Sequence, residues 1–581
     1  MLVSNSMESQ YIQGAKYLWL LPSVDEQLVF NLVNTYSLSF PIAQTLVARG
    51  LYEQEVVRSF LFPSHEEDVG DPLALKDAHK AVERICEAVR NKEKILIFGD
   101  YDVDGITSTS MMLACLLPLG AQVNFFLPHR VKDGYGLSVR VVERAVKAGY
   151  TLIITVDNGI TAIDAVARGN ELGIDTIITD HHRPHAEVPA AYAIVNPNQV
   201  DCTYPYKTLA GVGVTFKLLS LLYRYQGRTL PAKVYELLVL GTIADVVPLF
   251  QENRFWVRYG LQHINNHESL SIRTLKYNAK KGAGEPLNSS DVGFLIGPQV
   301  NALGRLEDPR EGVAFFLSCD EREVAQIGQK LCELNQTRRQ LEGEIVSMIK
   351  QQVESKQIDL EKDSVVIAAH DSWSPGVIGL VASRIVELYG RPTLLFHITN
   401  HGVAKGSCRS IPAFNIFNAL QSCKDLLISF GGHSLAAGLS LKIEHLPLLK
   451  QQLNEAINAQ LTEFDLQQKL SVDAIVKLSD VNKRMMADLS YMEPFGCDNS
   501  KPLFLMREVL LVDKPVLLKE HHVKCMIFSE GVIKPVIFFN RPELYDWLCQ
   551  RREQSFSLVG KVTENSWRGN VSIELQGIDV A

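Results

Sequence analysis

Short apolar runs alternate with amphipathic segments between residues 76 and 310. The apolar runs are typical of buried strands, and the segments between them are typical of helices. Strands that alternate with helices predict an α/β domain with a parallel sheet, and continuous apolar runs indicate strands that are covered on both faces. The predicted strands are KILIFGD (94–100), QVNFFLP (122–128), TLIITVDNG (151–159), DTIITDHH (175–182) and AYAIVNPN (191–198).

The remainder of the chain shows three other patterns. Residues 320–358 form a charged stretch without proline, which predicts one long helix. A second α/β pattern follows it, and from about residue 467 short alternating strands predict a small β-barrel of the OB type. We therefore expect an N-terminal helical region at 1–75, an α/β domain at 76–312, a connecting helix at 313–360, a second α/β domain at 361–455 and an OB-like barrel at 466–581.

Acidic and imidazole side chains stand where the predicted strands end. The first strand is followed by GDYDVDG (99–105), the third ends in VDNG (156–159) and the fourth ends in TDHH (179–182). Ligands of α/β sheets bind at the carboxyl ends of the strands, so three such ends in one sheet favour a shared site. The candidate residues are Asp100, Asp102, Asp104, Asp157, Asp180, His181, His182 and, in GTIADVVPL (241–249), Asp245.

This set of side chains suits a divalent cation. Carboxylates with imidazole are typical ligands of Mn²⁺, and carboxylates with water are typical ligands of Mg²⁺. Two such ions held close together would clamp a phosphoryl group and activate a water molecule. Each motif taken alone is more often a solvated turn. The occurrence of all of them at the ends of strands in one sheet favours a metal site. A calcium loop of the EF-hand type would need Glu at its twelfth position, which is Met111 here, so that alternative fails.

Composition and charge narrow the class of protein. The net charge of −8 over 581 residues argues against a uniformly basic coat protein for nucleic acid but allows an enzyme with a local basic groove. The ten cysteines form no CxxC pair, which argues against structural zinc and indicates a reducing compartment. Because the sequence shows neither a signal peptide nor an apolar stretch of about 18 residues, we expect a cytoplasmic protein that does not span a membrane.

The four motifs GDYDVDG, VDNG, TDHH and GTIADVVPL stand in the order found in the DHH phosphoesterase superfamily. Within it, the chain from about residue 45 onward resembles the RecJ family of bacterial single-stranded-DNA-specific 5′→3′ exonucleases. Further stretches that carry the resemblance are NALGR (301–305), GVIGLVASR (376–384), GSCRS (406–410) and FGGHSLAAG (430–438). The resemblance implies a parallel-sheet DHH domain, joined by a long helix to a DHHA1 α/β domain, and a C-terminal OB-like barrel.

The resemblance also implies roles for individual residues. The ligands of two Mg²⁺ or Mn²⁺ ions would be Asp102, Asp104, Asp157, His181 and Asp245. Catalytic groups beside the ions would be Asp100, His182 and His433, with His182 contacting the scissile phosphate or the leaving group. Substrate phosphate would be held by Arg305, Ser407 and Arg409. Some members carry His at the position of Phe98, so one ion would have fewer protein ligands here.

The implied activity is metal-dependent degradation of single-stranded DNA to 5′-mononucleotides, by a metal-activated water, in DNA repair and recombination. The implied protein is a monomer that binds single-stranded DNA, with a RecQ-type helicase and a single-strand-binding protein as partners. Candidates for base stacking in the barrel are Phe504, Phe538, Phe539 and Trp567, although such aromatics more often form the core.

Two alternative functions stay open at this point. A DHH phosphoesterase could act on short oligonucleotides or cyclic dinucleotides, and a non-catalytic relative could be a replication scaffold. The long chain and the barrel favour a polymeric substrate over a small one. The complete set of acidic and histidine positions in the four motifs argues against the scaffold.

Overall fold

The computed structural model describes residues 10–130, 132–282, 284–567 and 570–581. The chain forms two compact units. The larger unit comprises His65–Thr462 together with Gly496–Asp498. The smaller unit brings the N-terminal segment up to Ser64 together with Glu463–Phe495 and Asn499–Ala581.

The larger unit contains the expected parallel sheet. Its strands are β1 (Lys94–Phe98), β2 (Gln122–Phe126), β3 (Leu152–Val156), β4 (Asp175–Thr179) and β5 (Ala193–Val195). All pair in parallel in the order β2-β1-β3-β4-β5. Every residue of β3 is buried, which explains its uninterrupted apolar sequence, because helices cover both faces of the sheet.

Helices surround this sheet and continue beyond it. Those used below are α1 (Val103–Leu116), α2 (Gly211–Tyr225), α3 (Lys233–Ala244), α4 (Gly297–Leu306), α5 (Glu321–Glu354) and α6 (Ile378–Tyr389). A π-helical turn at Val292–Ile296 leads directly into α4. The other helices of this part are Ala78–Arg90, Val139–Lys147, Ile163–Glu171, Gln251–Asn266, Leu270–Asn278 and Arg310–Leu317.

The long helix α5 leads to a second α/β domain. The Asp320 side chain caps α5 by accepting a hydrogen bond from the Arg322 N–H at 2.8 Å. The mixed sheet that follows has strands β6 (Val366–His370), β7 (Thr393–Ile398), β8 (Val403–Arg409), β9 (Leu427–Gly432) and β10 (Ala436–Lys442), in the order β9-β10-β8-β7-β6. The helices Ile416–Ser422 and Leu446–Gln460 complete this domain.

The smaller unit contains the expected barrel. Its strands are β11 (Ala474–Ile475), β12 (Phe504–Leu511), β13 (Val516–Leu518), β14 (His522–Ser529), β15 (Val532–Phe538), β16 (Phe556–Trp567) and β17 (Asn570–Val580). The order β12-β16-β17-β15-β14 closes on itself because β14 also pairs with β12. This closed five-stranded barrel has the OB architecture.

Two of the four stacking candidates belong to the barrel core. Phe504 and Phe538 are fully buried and therefore cannot stack on a base, whereas Phe539 is exposed. The side chain of Trp567 lies outside the described part of the chain.

The same unit holds a small sheet of Tyr11–Gln13, Leu18–Leu20 and Lys469–Ser471. Its helices are Glu26–Tyr36, Phe40–Ala48, Gln54–Leu61, Lys483–Tyr491 and Leu544–Gln550. Across the described ranges of both units, we find no helix with the length and apolarity needed to cross a bilayer.

Candidate metal centre

The strand order creates a crevice at one edge of the parallel sheet. The chain leaves β1 toward β2 on one side, and then returns to place β3 on the other side of β1. Such a switch point between neighbouring strands is where α/β sheets bind ligands. Asp100, Asp102 and Asp104 follow β1, and Asp157 follows β3, so the first two acidic motifs meet at this crevice.

Three motifs converge on one ring nitrogen. The Nε2 atom of His181 lies 3.3 Å from Oδ1 of Asp157 and 3.5 Å from Oδ2 of Asp245. All three atoms are buried, and none has a hydrogen-bond partner among the described residues. Buried polar atoms are nearly always hydrogen-bonded. Three buried atoms that face one another without partners therefore indicate a binding site for one ligand that all three would contact. A divalent cation satisfies a nitrogen and two carboxylate oxygens at once, and the donors present therefore fit Mn²⁺ or Mg²⁺.

The acidic side chains form one extended cluster. Three groups each place their donor atoms within 4.8 Å of one another: Asp104 with His181 and Asp245, Asp157 with His181 and His182, and Asp100 with Asp102 and Asp157. Asp157 and His181 each belong to two of these groups. Oδ1 of Asp100 is also buried and has no hydrogen-bond partner among the described residues.

The backbone around the cluster explains how it forms. Asp157 adopts the left-handed conformation, with φ of 61°, as β3 ends. Gly211, the first residue of α2, lies so close that a Cβ there would stand 2.6 Å from Cβ of Asp157. The N–H groups of Gly211 and Val212 each donate to Asp104 at 2.7 Å. The N-terminus of α2 therefore holds one carboxylate of the cluster and makes room for another.

The first residue of the DHH triplet has a different environment. The carboxylate of Asp180 accepts hydrogen bonds from the backbone N–H groups of His181, His182 and Ile160 at 2.7, 3.0 and 2.9 Å. Nδ1 of His182 lies 2.7 Å from Asp180 as well, and Nδ1 must be the donor because an ionised carboxylate only accepts. Asp180 therefore orients the two histidines, and it belongs to none of the three groups of donor atoms found among the described residues.

Burial and mutual repulsion shift the titration of the cluster. Burial together with the neighbouring carboxylates raises the pKa values of Asp100, Asp157 and Asp245 well above their usual range, and raises the pKa of Asp104 to about 7. Burial lowers the pKa of His181 to about 4. A bound cation would offset the raised pKa values of the carboxylates, and it would favour the neutral imidazole of His181 that burial already favours.

Four arginines gather beside the acidic cluster. Burial, with Arg130, Arg338 and Arg409 close by, lowers the pKa of Arg305 to about 10, although Asp102 acts in the opposite direction. Arg305 donates to the carbonyl of Gly376 at 3.0 Å, and Arg130 donates to that of Gly304 at 3.3 Å. Arg305 and Arg130 therefore bond to neutral oxygens and keep their charge for an anion, whereas Arg338 pairs with Glu342 at 2.8 Å.

The second α/β domain contributes its own part of this arginine group. Arg409 lies on β8, where it donates to the Cys408 carbonyl at 2.7 Å and to the Ser407 hydroxyl at 3.2 Å. Of the three residues expected to hold phosphate, Arg305 and Arg409 thus belong to one group of cations, and Ser407 contacts it.

Some residues of the site were not among those predicted from the sequence. The guanidinium carbon of Arg130 lies 4.0 Å from the ring centre of Tyr101, and the Tyr135 hydroxyl lies 3.3 Å from Nδ1 of His182. Arg338 of α5 also joins the arginine group. The segment PHRVKDGYG (128–136) offered a signal, since it places a cationic and an aromatic residue directly after β2.

The structure also locates His433 and Phe98. His433 is exposed in the turn between β9 and β10, where its N–H donates to the Ala436 carbonyl at 2.8 Å. Ala436 pairs with Arg409 across the sheet, so the turn that carries His433 adjoins the strand pair of Arg409. Phe98 is fully buried, and its ring stacks on Phe126 at a distance of 5.8 Å, which makes it a core residue.

Comparisons with known proteins agree with this architecture. The family model for the N-terminal domain of the DHH family matches residues 94–242, the DHHA1 domain model matches 362–459 and the RecJ OB domain model matches 472–579. The single-stranded-DNA-specific exonuclease RecJ of Bacillus subtilis (strain 168) is 37% identical over 570 residues, which cover 98% of this chain and 71% of that protein.

Two crystal structures of RecJ from Thermus thermophilus are also similar. The complex with Mn²⁺ matches with a TM-score of 0.82 and 27% identity, over 97% of this chain and 79% of that one. The complex with Mg²⁺ matches with a TM-score of 0.73 and 25% identity, over 97% and 78%. The three domains, their order and the identity over nearly the whole length show that this chain belongs to the RecJ family.

Proposed function

We propose that this protein is a metal-dependent exonuclease that degrades single-stranded DNA from its 5′ end and releases 5′-mononucleotides. The observation that carries the proposal is the buried and unpartnered donor set of Asp157, His181 and Asp245. Membership in a family whose relatives are single-stranded-DNA-specific exonucleases supports the choice of substrate.

We assign two divalent ions, Mg²⁺ or Mn²⁺, to this centre. One would be held by Asp104, His181 and Asp245, the other by Asp100 and Asp102, and Asp157 would bridge the two because it belongs to both sides of the cluster. When bound, such ions polarise the scissile phosphate and supply an activated water. We propose Asp100 as a ligand, where the family resemblance implied a catalytic group beside the ions, because its Oδ1 is buried and has no partner among the described residues.

His182 is suited to hold a proton against the substrate. Burial alone would lower its pKa, but the hydrogen bond to Asp180 and the nearby carboxylates raise it. With Nδ1 bonded to Asp180, the proton available for transfer is on Nε2. We propose that Nε2 of His182 hydrogen-bonds the phosphate or protonates the leaving oxygen.

The arginine group is suited to bind the 5′ end of the DNA strand. We propose that Arg305, Arg409 and Ser407 bind the 5′-terminal phosphate, because charge-assisted bonds from guanidinium groups suit phosphate oxygens. Arg130 extends this group from the first domain. We propose that His433 contacts the same phosphate rather than acting in catalysis, since its turn adjoins the strand pair that carries Arg409.

The cellular setting follows from the substrate. An enzyme that accepts only single strands depends on unwound DNA, which is why we propose a RecQ-type helicase and a single-strand-binding protein as partners in repair and recombination. The ten free cysteines support a reducing, cytoplasmic location. We propose that the protein acts as a monomer, because one chain supplies the ion ligands and the arginine group.

The test uses end-labelled single-stranded DNA with Mn²⁺ or Mg²⁺. Wild type is compared with Asp157→Asn and His181→Ala, and with the control His185→Ala, which changes an exposed histidine of the same loop. We expect 5′-mononucleotides from wild type and the control, and none from the other two variants. Cleavage of dinucleotides alone would identify a phosphoesterase for small substrates, and strand binding without cleavage would identify a scaffold.

A further inference from the structure

Two exposed apolar side chains border the acidic cluster where Asp245 enters it. Phe294 is 76% exposed and Val246 is 66% exposed. Both have an unusual backbone. Phe294 lies in the π-helical turn Val292–Ile296, and Val246 is left-handed with φ of 59°, which is rare for a β-branched residue. Such local irregularities concentrate at functional sites.

The neighbours of Phe294 fix its location. A Cβ on Gly293 would lie 3.6 Å from Cγ2 of Ile243, and a Cβ on Gly297 would lie 3.7 Å from Cβ of Ala244. Ile243 and Ala244 are the residues that immediately precede Asp245. The π-helical turn therefore packs on the end of α3, with Phe294 directed to solvent beside the Asp245 segment.

The helix that follows this turn connects it with the rest of the site. Asn301 of α4 accepts a hydrogen bond from the Val103 N–H at 3.2 Å, directly after Asp102. Arg305, one turn further along, belongs to the arginine group. At 1.5 Å per residue, Phe294 and Arg305 lie about 16 Å apart along the helix axis. The acidic loop thus lies between the arginine group and Phe294.

This order matches the order of groups along a strand. A 5′-terminal phosphate on the arginines and a scissile phosphate on the acidic cluster leave the following base on the side of Phe294. Bases stack on exposed aromatic rings with little regard to sequence, because each base has a π face. An exonuclease that proceeds through any sequence needs this tolerance.

We propose that Phe294, supported by Val246, is a stacking platform for the base on the 3′ side of the scissile phosphate. The inference rests on the proposed exonuclease function and adds a nucleobase subsite to it. The platform holds the strand in register after each mononucleotide leaves. Phe294 binds substrate and takes no part in the chemical step.

Steady-state kinetics on single-stranded DNA gives the first test. We expect Phe294→Ala to raise KM about 5- to 100-fold and to change kcat less than about twofold, because stacking contributes to binding. Phe294→Trp should restore the wild-type KM. The control Tyr225→Ala removes an exposed aromatic at the far end of α2, about 21 Å along the helix axis from Gly211, and should leave both constants unchanged.

A fluorescent base separates this inference from the proposed function. The probe is a 5′-phosphorylated oligothymidylate with 2-aminopurine as its second base and phosphorothioate linkages that block hydrolysis. Stacking should quench its fluorescence on wild type and on Phe294→Trp, but not on Phe294→Ala. Val246→Gly keeps the left-handed backbone without the side chain and should lose part of the quenching.

The outcomes distinguish a failure of the stacking platform from a failure of the proposed exonuclease function. If wild type degrades the strand while Phe294→Ala quenches the probe as strongly as wild type, the stacking platform is wrong and the exonuclease function stands. If wild type neither degrades nor binds the strand, both are wrong.

Discussion

The larger unit buries charge in two very different ways. Glu252, fully buried, accepts hydrogen bonds from the Tyr204 hydroxyl and from Nε1 of Trp256 at 3.0 Å, and it pairs with Lys217. Lys217 also donates to the Gly70 carbonyl at 2.7 Å. In the acidic cluster, by contrast, Asp157 and Asp245 each retain a buried oxygen without a partner among the described residues. The charge of Glu252 is thus paired within the described structure, and the charges of the acidic cluster are not.

This difference separates a structural role from a ligand site. A buried ion pair with all of its bonds made contributes to the fold, and removing one partner leaves an uncompensated charge. A buried set of acids without counter-charge destabilises the protein until something binds. Burial alone therefore does not identify a functional group, whereas several buried ionisable groups that face one another without partners indicate a ligand site. Four predictions test this comparison.

The largest effect is expected from the acidic cluster on activity. Asp157→Asn keeps the shape of the side chain and removes the charge that would bridge two ions, so activity should fall on the order of 10⁴-fold. The melting temperature in EDTA should stay level or rise, because the substitution relieves repulsion. Nuclease assays and thermal melts in EDTA measure the two quantities, and a strongly destabilised variant would assign Asp157 a structural role.

The buried pair of Glu252 and Lys217 should affect stability rather than activity. Glu252→Gln leaves Lys217 buried without its counter-charge, so the free energy of unfolding should fall by about 3–5 kcal/mol. Activity per folded molecule should stay close to wild type. Urea denaturation gives the stability. The double variant Lys217→Met/Glu252→Met should recover part of the loss, and equal instability of single and double variants would contradict the pairing.

Metal binding should stabilise the protein through the acidic cluster and not through the Glu252–Lys217 pair. Addition of Mn²⁺ at about 100 times its Kd should raise the free energy of unfolding by about 2.7 kcal/mol, and EDTA should reverse the gain. Asp245→Asn should abolish most of the gain, whereas Glu252→Gln should retain it. Thermal melts with and without Mn²⁺ measure this, and an equal gain in the Asp245 variant would place the ion elsewhere.

The arginine group lies between the two extremes, since Arg305, Arg130 and Arg409 bond to neutral oxygens while Arg338 pairs with Glu342. Arg409→Ala should raise KM for 5′-phosphorylated strands about 30-fold, which corresponds to a charge-assisted bond of about 2 kcal/mol. A 5′-hydroxyl strand should show little change. The comparison of the two strands isolates the phosphate contact, and an equal effect on both would make Arg409 a general backbone contact.

The acidic site was accessible from the sequence because each of its motifs is contiguous with a strand or helix end. Hydrophobic runs locate the strands, parallel pairing brings their ends together, and the side chains that follow must meet. No comparable pattern in the sequence predicts that the four arginines of the arginine group lie together. Arg130, Arg338 and Arg409 belong to a loop, the long helix and an inner strand of another sheet, and only tertiary packing brings them to Arg305.

Local backbone geometry explains the other differences. The π-helical turn that exposes Phe294 spans five residues, which is too short for the hydrophobic pattern of the sequence to reveal. The proposal that Asp100 is a ligand depends on which of its oxygens lacks a bond, a property of the folded site. His433 carries a motif resemblance, and only the folded sheet places its turn beside the strand pair of Arg409.

The 34 residues of α5 separate two tasks that the enzyme must keep linked. Every proposed ion ligand precedes this helix in the chain, while Ser407 and Arg409 follow it. The separation is incomplete, because Arg305, which is also proposed to bind the 5′-terminal phosphate, precedes α5. A chain ending within α5 would keep the proposed ion ligands and Arg305 but would lose Ser407 and Arg409. We expect such a chain to hold a 5′-terminal phosphate more weakly, so that the domain after α5 would tie the choice of the first bond to a phosphorylated end.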